Sequence, residues 1–401
     1  MIEPPATAAA DPADAMFAWL RWKLDTQPVA MDDNQAWQVF GYAEVARILS
    51  DPATFSSDTR AFSLPQADLD LVFEGFLMMM DPPRHRALRT LVTQVFTPRL
   101  MAALAPRITE FTASLLSSLD TADRFDLIDS LAFPLPVGVI MELLGVPAGD
   151  QHQFRSWVES LLDQQPVNAD TALFPAQDES VVNGMAPTMR EVGGYLLEHI
   201  RYRRRQQTED LIGRLTTAEI DGERLSDGEI MGVAFQLLLA GPGLTTALIG
   251  NAALSFDRCP QAATAVRARR DLLPPAIEEV LRFRPPVPRM GRVATADVEL
   301  GGQVIQAGQL VICWLVAANR DAAQFPEPDR FDIHRRSTGH LAFGHGIHFC
   351  VGALLSRLMA KIALNALLDR YHDIAVDAAG PTEFHNPYVL VSLKRLPLMA
   401  S

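Results

Sequence analysis

The chain contains little cysteine, and this scarcity excludes one class of protein. Its 401 residues include three cysteines, Cys259, Cys313 and Cys350. An odd and sparse set of thiols does not make a disulfide scaffold, and it is typical of proteins in a reducing compartment. We therefore predict a cytoplasmic protein.

The chain also contains fewer positively charged than negatively charged residues. Lys and Arg total 35 against 48 Asp and Glu, which gives a formal net charge of −13. Because non-specific nucleic-acid binding needs a basic surface, no nucleic-acid partner is expected. Apolar residues make up 48% and charged residues 21% of the chain, a balance typical of a soluble globular protein rather than a disordered one.

No secretory signal is predicted from the first residues, because residues 1–15 contain neither a basic residue nor an apolar run. One stretch does resemble a membrane span, since 27 residues without a charge lie between Glu229 and Asp257. Polar side chains interrupt this stretch, acids flank it, and Ser226 with Glu229 forms a predicted capping box at its start. We predict a helix buried on all sides in a large core, and no membrane partner.

The chain shows no internal repeat and no low-complexity segment, so a single domain over residues 1–401 is expected. Helical periodicity dominates residues 82–284, apart from a turn-rich stretch at 164–178, and a final long helix is expected to begin near Cys350. An apolar loop at 51–80 is uncommon unless it covers a site. Strands are expected at 29–31, 37–40, 293–305, 309–315 and 389–393. The fold class predicted is mainly α with a smaller β-rich region.

The sharpest local feature is FGHGIHFCVG, residues 343–352. Gly344 and Gly346 permit a tight backbone, and Cys350 lies where the last helix is expected to begin. A thiol at a helix N-terminus is biased towards the thiolate, because the helix dipole and free amide groups stabilise negative charge. A rigidly held thiolate suits a metal ligand.

Several chemistries compete for this motif. A phosphate loop is excluded, because the spacing is not GxGxxG and no GK[ST] follows. A zinc site of His345, His348 and Cys350 lacks a fourth ligand at workable spacing. An axial thiolate for haem iron remains, since that chemistry uses a single cysteine, and a purely structural cysteine is the other reading.

Two further segments place chemical groups at helical spacing. EVLR puts Glu279 and Arg282 at i, i+3 on one helical face. DPPRHRALRTLV puts His85 and Arg89 four residues apart on a helix expected to begin after Pro83. His85 and Arg89 can clamp carboxylates, although a solvated face is the default interpretation of that pair, and pairs such as Glu279 and Arg282 are common on ordinary helices.

Together these motifs resemble the cytochrome P450 family. FGHGIHFCVG is similar at every defined position to the haem-binding signature Phe-x-x-Gly-x-x-x-Cys-x-Gly, and EVLR is similar to the Glu-x-x-Arg of the family. NRDAAQFPEPDRFD, residues 319–332, resembles the loop that supplies the third member of the family's ion-pair network. The resemblance runs along the whole chain. It implies the cytochrome P450 fold, with haem b between the long central helix and the helix that carries the cysteine.

The resemblance also implies roles for individual residues. Cys350 is expected to be the proximal iron ligand, and Glu279, Arg282 and Arg330 are expected to form the structural ion-pair network. The expected donors to the haem propionates are His85, Arg89, Arg292 and His348. The similarity is to the soluble bacterial branch, which implies oxidation of an apolar small molecule of moderate size with O2, and electrons from a ferredoxin and its reductase.

The central helix departs from the family pattern at AGPGLTTALIGN, residues 240–251. The family shows Ala-Gly-x-(Asp/Glu)-Thr there, an acid–alcohol pair that delivers protons to bound dioxygen. Without a gap, Gly243 replaces the acid and Leu244 replaces the alcohol. A register slipped by two places Thr245 and Thr246 at the pair, which keeps an alcohol but no acid.

This departure has structural and chemical consequences. Pro242 removes a backbone donor and Gly243 weakens the helix, so a kinked or opened turn is expected. Either ordered water or a substrate hydroxyl relays protons and monooxygenation continues, or the chemistry is altered. The altered alternatives are peroxide-driven oxidation, coupling, rearrangement, or a haem-based sensor. The residues expected to line the substrate pocket are Phe76, Leu77, Phe235, Leu239, Ala240, Val287, Met290 and Leu390.

Overall fold

The computed structural model describes residues 11–62, 70–119, 123–163, 179–335 and 338–400, so the turn-rich stretch 164–178 lies outside the described residues. The helices are α1 (Pro12–Thr26), α2 (Tyr42–Ser50), α3 (Asp70–Phe73), α4 (Arg84–Thr93), α5 (Pro98–Ser117), α6 (Pro134–Leu144), α7 (Gln151–Asp163), α8 (Glu179–Arg205), α9 (Leu211–Thr217), α10 (Asp227–Arg258), α11 (Pro260–Ala268), α12 (Leu273–Phe283), α13 (Leu315–Ala318) and α14 (Ala353–Arg370). The mainly helical prediction is confirmed.

The strands form small sheets beside the helical body. They are β1 (Val29–Met31), β2 (Trp37–Val39), β3 (Phe55–Ser56), β4 (Arg124–Asp126), β5 (Glu219–Ile220), β6 (Glu223–Arg224), β7 (Met290–Ala294), β8 (Val298–Leu300), β9 (Gln303–Ile305), β10 (Leu310–Cys313), β11 (Ile374–Val376), β12 (Glu383–Phe384), β13 (Leu393–Arg395) and β14 (Pro397–Ala400). The largest sheet has the order β1-β2-β10-β7-β3, and its β2–β10 pair is parallel. A second sheet has the order β11-β14-β4, and the remaining strands pair as hairpins.

The largest sheet is apolar on both faces, because helices cover each side of it. Alternate residues of β10 point to opposite faces, so Val311 and Cys313 pack with α2 while Ile312 packs with α1. Trp314, just beyond the strand, is fully buried on the α1 side. The sheet therefore separates two apolar clusters. A side chain on β7 packs into one cluster or the other, depending on the face of the strand from which it projects.

The central helix α10 begins with the predicted capping box. The Ser226 hydroxyl accepts from the Glu229 amide, and the Glu229 carboxylate accepts from the Ser226 amide, both at 3.0 Å. The helix is long and apolar enough to span a membrane, but 72% of its most apolar window is buried inside the protein. The prediction of a buried core helix is confirmed.

The alternative of an opened turn at Pro242 is wrong, because α10 is continuous from Asp227 to Arg258, whereas a kink within this continuous helix stays a prediction. Pro242 and Gly243 are both buried, and a Cβ at Gly241 would lie 2.9 Å from the Ile140 side chain. Close packing against α6 keeps this turn helical despite the missing backbone donor, since tertiary contacts outweigh local propensity.

Two strand predictions need correction. The predicted strand 309–315 ends at Cys313, and α13 follows immediately. Of the predicted strand 389–393 only Leu393 is in a strand, because the Val389 and Leu390 amides both donate to the Asn386 carbonyl in a turn. The Asn251 side chain donates to the Val391 carbonyl at 2.8 Å, which fixes this turn against α10. The hydrogen bond from the Asn251 side chain thus holds this segment in place, where a strand would be held by backbone hydrogen bonds to its neighbour.

Candidate active site

The loop before Cys350 has the tight backbone that its glycines predict. Gly344 and Gly346 adopt positive φ angles of 71° and 66°. A Cβ at Gly346 would collide with the backbone of Leu49 and lie 3.1 Å from the Cα of Ser50, so α2 closes over the loop. The Cys350 amide donates to the Phe343 carbonyl at 2.8 Å. The sulfur is therefore held by a rigid loop rather than by the helix itself, which begins at Ala353.

The pKa of Cys350 shifts in the direction opposite to the one expected from the helix N-terminus, which favours the thiolate. Burial raises the pKa of the Cys350 thiol, and hydrogen bonds from the Gly352 and Ala353 amides, together with Arg89 and Arg357, lower it only in part. Desolvation of the buried sulfur outweighs the helix terminus in this protein. A metal cation bound at the sulfur would supply the missing positive charge, because a coordinating thiol is deprotonated outright.

The four predicted propionate donors come together beside this loop from three separate segments. The rings of His85, on α4, and His348 lie 4.2 Å apart between centroids. Arg89, one turn after His85, donates to the Phe349 carbonyl. Arg292, on β7, is buried and donates to the Gly291 carbonyl at 2.7 Å.

The cluster is rich in donors and poor in acceptors. Burial, reinforced by the positive charges of Arg89 and Arg292 and opposed by Asp81, lowers the pKa of His85 to about 4. Burial likewise lowers the pKa of His348 to about 3, with His85, Arg292 and Arg89 acting in the same direction. Within the described residues, His85 Nε2 and Arg292 Nη2 are buried atoms without a hydrogen-bond partner. Buried donors without acceptors are costly, so the cluster fits a ligand with carboxylate groups such as haem.

Ser57 and Asp81 belong to this cluster and were not predicted. The His348 Nε2 atom lies 2.8 Å from the Ser57 hydroxyl. Asp81 accepts from the Ser57 amide at 2.9 Å and from the Ser56 hydroxyl. No local motif marks these residues, since chain folding alone brings residues 56–57 to the cysteine loop.

The ion-pair network has a different third member from the predicted one. Glu279 and Arg282 are fully buried and joined by two hydrogen bonds of 2.7 Å. The prediction that the Arg330 side chain joins them is wrong, because it is exposed and pairs with Glu327. Arg335 instead places its Nε atom 3.3 Å from the Glu279 carboxylate. Arg330 contributes only its backbone carbonyl, which accepts from Arg282 at 3.2 Å.

One face of the central helix is open, although the rest of its middle is buried. The partly accessible residues in this stretch are Gln236, Leu239, Ala240, Gly241 and Leu244. Their spacing places them along one face of α10. Leu239, Ala240 and Leu244 of the predicted site lie on this open face.

The threonines of the slipped register do not lie on the open face. Both are buried, and the Thr245 hydroxyl donates to Ser356 on α14 at 3.2 Å, while the Thr246 hydroxyl donates to the Ala132 carbonyl at 3.0 Å. Gly243 is buried as well. The geometry therefore favours the ungapped register, in which Leu244 stands in the place of the alcohol.

The other predicted pocket residues divide between core and cavity. Phe76, Leu77 and Phe235 are buried in the main helical core, and Val287 with Met290 packs against the sheet on the α2 side. A half-open cavity of about 450 Å³ is bordered by Leu390, Gly243 and Thr246. The rest of its wall includes apolar residues and also six charged ones, which are Asp126, Asp129, Arg155, Glu159, Lys394 and Arg395.

Comparisons with known proteins agree with this geometry. The family described as Cytochrome P450 matches residues 249–399. The chain is 40% identical over 389 residues to the erythromycin C-12 hydroxylase of Saccharopolyspora erythraea, covering 96% of this chain and 94% of that protein. The ligand-free structure of cytochrome P450 TbtJ1 is 41% identical, covers 100% of both chains and superposes with a TM-score of 0.86. A mutant of P450 EryK in complex with erythromycin B is 38% identical, covers 97% of both chains and superposes with a TM-score of 0.89.

The fold and these comparisons thus define a haem-binding protein. The chain belongs to the cytochrome P450 family. It is accordingly a monooxygenase-type oxidoreductase with haem b as its cofactor.

Proposed function

We propose that this protein hydroxylates or otherwise oxidises an apolar small molecule of moderate size, using O2 and electrons from a ferredoxin and its reductase. The observation that carries the proposal is the donor cluster beside Cys350, with His85 Nε2 and Arg292 Nη2 both buried and lacking acceptors. In this proposal Cys350 binds the iron, and His85, Arg89, Arg292 and His348 hold the propionates. When bound, the haem supplies O2 activation, which a thiolate ligand promotes.

The open face of α10 supports an apolar substrate. Leu239, Ala240 and Leu244 offer methyl and methylene groups there, and burying such surface is the main source of affinity for apolar ligands. Gln236 is the polar exception, and its side-chain oxygen accepts from the Met78 amide at 3.2 Å. This bond positions the segment around Met78 over the open face. Relatives named as hydroxylases support the same reaction class.

A single domain over residues 1–401 and a cytoplasmic location complete the proposal. One apolar cluster runs from Val72 to Ala400, which supports a single folding unit. The net charge of −13 and the buried central helix support a protein without nucleic-acid or membrane partners.

Altered chemistry is the second candidate, and a specific observation favours it. The open face carries neither a carboxyl group nor a hydroxyl group, because Thr245 and Thr246 donate elsewhere. Proton delivery along the family's route therefore lacks both of its groups. Turnover supported by NADH, ferredoxin and reductase should be measured beside peroxide-supported turnover. Efficient product formation with the redox partners would exclude this second candidate.

The primary test is the absorption spectrum of the reduced, carbon-monoxide-bound protein. The wild-type protein and Cys259→Ser should both show the thiolate-type spectrum, because Cys259 lies at the C-terminal end of α10 and not in the cysteine loop. Cys313→Ser should retain it too, whereas Cys350→Ser should lose it. A wild-type protein that is colourless after expression in iron-replete cells, and that takes up no hemin, would refute the proposal.

A further inference from the structure

The ring of His348 in the cysteine loop is held by one hydrogen bond. Its Nε2 atom lies 2.8 Å from the Ser57 hydroxyl, which is the only hydrogen-bond partner of this ring among the described residues. Ser57 is 2% exposed, so solvent has little access to the contact. Because an imidazole ring can turn about its side-chain bonds, its single buried partner decides its orientation. Ser57 therefore sets the direction in which the other ring nitrogen of His348 points.

The Ser57–His348 pair keeps a proton donor free in every protonation state. A neutral imidazole carries one N–H and the serine carries one O–H, and the bond between them uses one of these two protons. If Nε2 accepts, the Nδ1–H of His348 stays free, and if Nε2–H donates, the O–H of Ser57 stays free. A protonated ring adds a further donor. The pair thus always offers a donor to a neighbouring acceptor.

Ser57 lies among the proposed propionate donors on two sides. The strands β3 and β7 pair antiparallel, and continuing their register by one residue brings Ser57 level with Arg292. On the other side, the rings of His348 and His85 lie 4.2 Å apart between centroids. Arg292 and His85 each have a buried nitrogen without a hydrogen-bond partner among the described residues. The free donor of the Ser57–His348 pair therefore adds to a cluster that already lacks acceptors.

Asp81 holds Ser57 in this position. Its carboxylate accepts from the Ser57 amide at 2.9 Å and from the Ser56 hydroxyl. Its backbone carbonyl accepts from the His85 amide at 3.1 Å, at the start of α4. Asp81 thus ties the segment after β3 to the helix that carries His85. Because Asp81 bonds the backbone of Ser57 and not its side chain, the serine hydroxyl remains available to His348.

We propose that Ser57 is a positioning residue for the haem, which holds His348 so that the pair donates a hydrogen bond to a propionate, with Asp81 holding Ser57. This inference rests on the proposed function, in which His348 binds a propionate. The role of Ser57 is exerted through the ring of His348. Removing the serine hydroxyl should therefore weaken haem binding only while that ring is present.

The primary measurement is the rate of hemin release from the purified holoprotein, with an excess of apomyoglobin as the trap. Ser57→Ala should release hemin about fivefold faster than the wild-type protein, as expected for the loss of one hydrogen bond. Ser57→Thr keeps a hydroxyl and should restore the wild-type rate. Ser255→Ala is the matched control, because it also removes a buried serine hydroxyl, which donates to the Asn251 carbonyl at 2.6 Å within α10. It should release hemin at the wild-type rate.

A double-mutant cycle tests whether Ser57 acts through His348. His348→Phe should release hemin faster than the wild-type protein, and adding Ser57→Ala should bring no further change. The midpoint potential of the haem provides a second readout, which a loss of stability alone would not shift. Without the shared donor the propionate charge is less neutralised and the oxidised haem is favoured, so the potential should fall in Ser57→Ala. It should stay unchanged in Ser255→Ala.

Several results would overturn the inference. A wild-type rate of hemin release in Ser57→Ala, or additive effects of Ser57→Ala and His348→Phe, would exclude a role exerted through His348. Faster release with an unchanged midpoint potential would mean that Ser57 contributes to stability alone. If these results appear while the wild-type protein takes up hemin and shows the thiolate-type carbon-monoxide spectrum, the proposed function stands and only the role of Ser57 fails. A wild-type protein that takes up no hemin overturns both.

Discussion

Thr245 donates a hydrogen bond to Ser356 at 3.2 Å, which joins the central helix α10 to α14, the helix that follows Cys350. The hydroxyl therefore points towards the proximal helix rather than along the open face of α10. Its neighbour Leu244 occupies that face instead. Thr245, which is next in sequence to the position of the family's alcohol, thus has a structural contact. Leu244, which occupies that position, is apolar.

Restoring an alcohol at position 244 should improve coupling. Leu244→Thr places a hydroxyl on the open face, where it can order water for proton transfer, and general acid–base groups contribute large rate factors. We expect the ratio of product to reductant consumed to rise about tenfold at most. The measurement is product formed per NADH oxidised in the reconstituted ferredoxin system.

Thr245→Val serves as the control for this change. It should lower the free energy of unfolding by about 1 kcal/mol, because one interhelical hydrogen bond is lost. The ratio of product to NADH should stay at the wild-type value. A collapse of coupling in Thr245→Val, with no response to Leu244→Thr, would show that the slipped register is the functional one.

Replacing Arg335 should destabilise the protein far more than replacing Arg330. Arg335 lies 3.3 Å from the fully buried Glu279 carboxylate, whereas Arg330 forms an exposed pair with Glu327. Arg335→Met should lower the free energy of unfolding by about 2 kcal/mol, since a buried carboxylate loses a partner. Arg330→Met should change it by less than about 0.5 kcal/mol. Denaturant unfolding measures both, and the reverse order would contradict the structure.

Glu278 should make the stability sensitive to acid. Burial raises the pKa of Glu278, but hydrogen bonds from Arg357 and His340 outweigh burial and lower it to about 2, against 4.5 for a free glutamate. Because the folded state holds this proton less tightly, the contribution is present above pH 4.5 and is lost as the pH falls towards 2. Unfolding free energies measured across this range should fall less steeply with acid in Glu278→Gln. An unchanged slope would mean that Glu278 is not ionised by these partners.

Gly75 should be essential for closing the segment around Met78 onto the central helix. A Cβ on Gly75 would collide with the Glu229 carbonyl, and a Cβ on Gly232 would lie 2.6 Å from the Gly75 backbone. Gly75→Ala should therefore cost about 2 kcal/mol of unfolding free energy and weaken ligand binding, because the backbones must separate. Gly194→Ala, in a helix with open space around it, should instead stabilise by up to about 1 kcal/mol. Equal effects would contradict the close approach.

Local motifs were the most predictable features. The capping box at Ser226 depends on residues three apart, and the shared face of His85 and Arg89 depends on residues four apart, so helical geometry alone defines both. The cysteine loop is equally local, since its glycines permit positive φ angles. The partner of Glu279 was not predictable in this way, because Arg330 and Arg335 lie on one irregular segment whose path decides which side chain turns inward.

The substrate face shows the same division. Phe235 and Leu239 are one helical turn apart and equally apolar, yet Phe235 is buried in the core and Leu239 is accessible. The apolar character of a residue predicts that it tends to be buried, but it does not predict whether another segment packs over it.

The sequence by itself predicted the family and the mainly helical fold and singled out Cys350 as the proposed sulfur ligand, because each is encoded in short spacings along the chain. Only the tertiary structure decided which arginines have anions, which face of α10 is open and where the Thr245 hydroxyl points. Those properties depend on how separate segments pack in space, such as the contact of Thr245 with Ser356, and such contacts leave no periodic trace in the sequence.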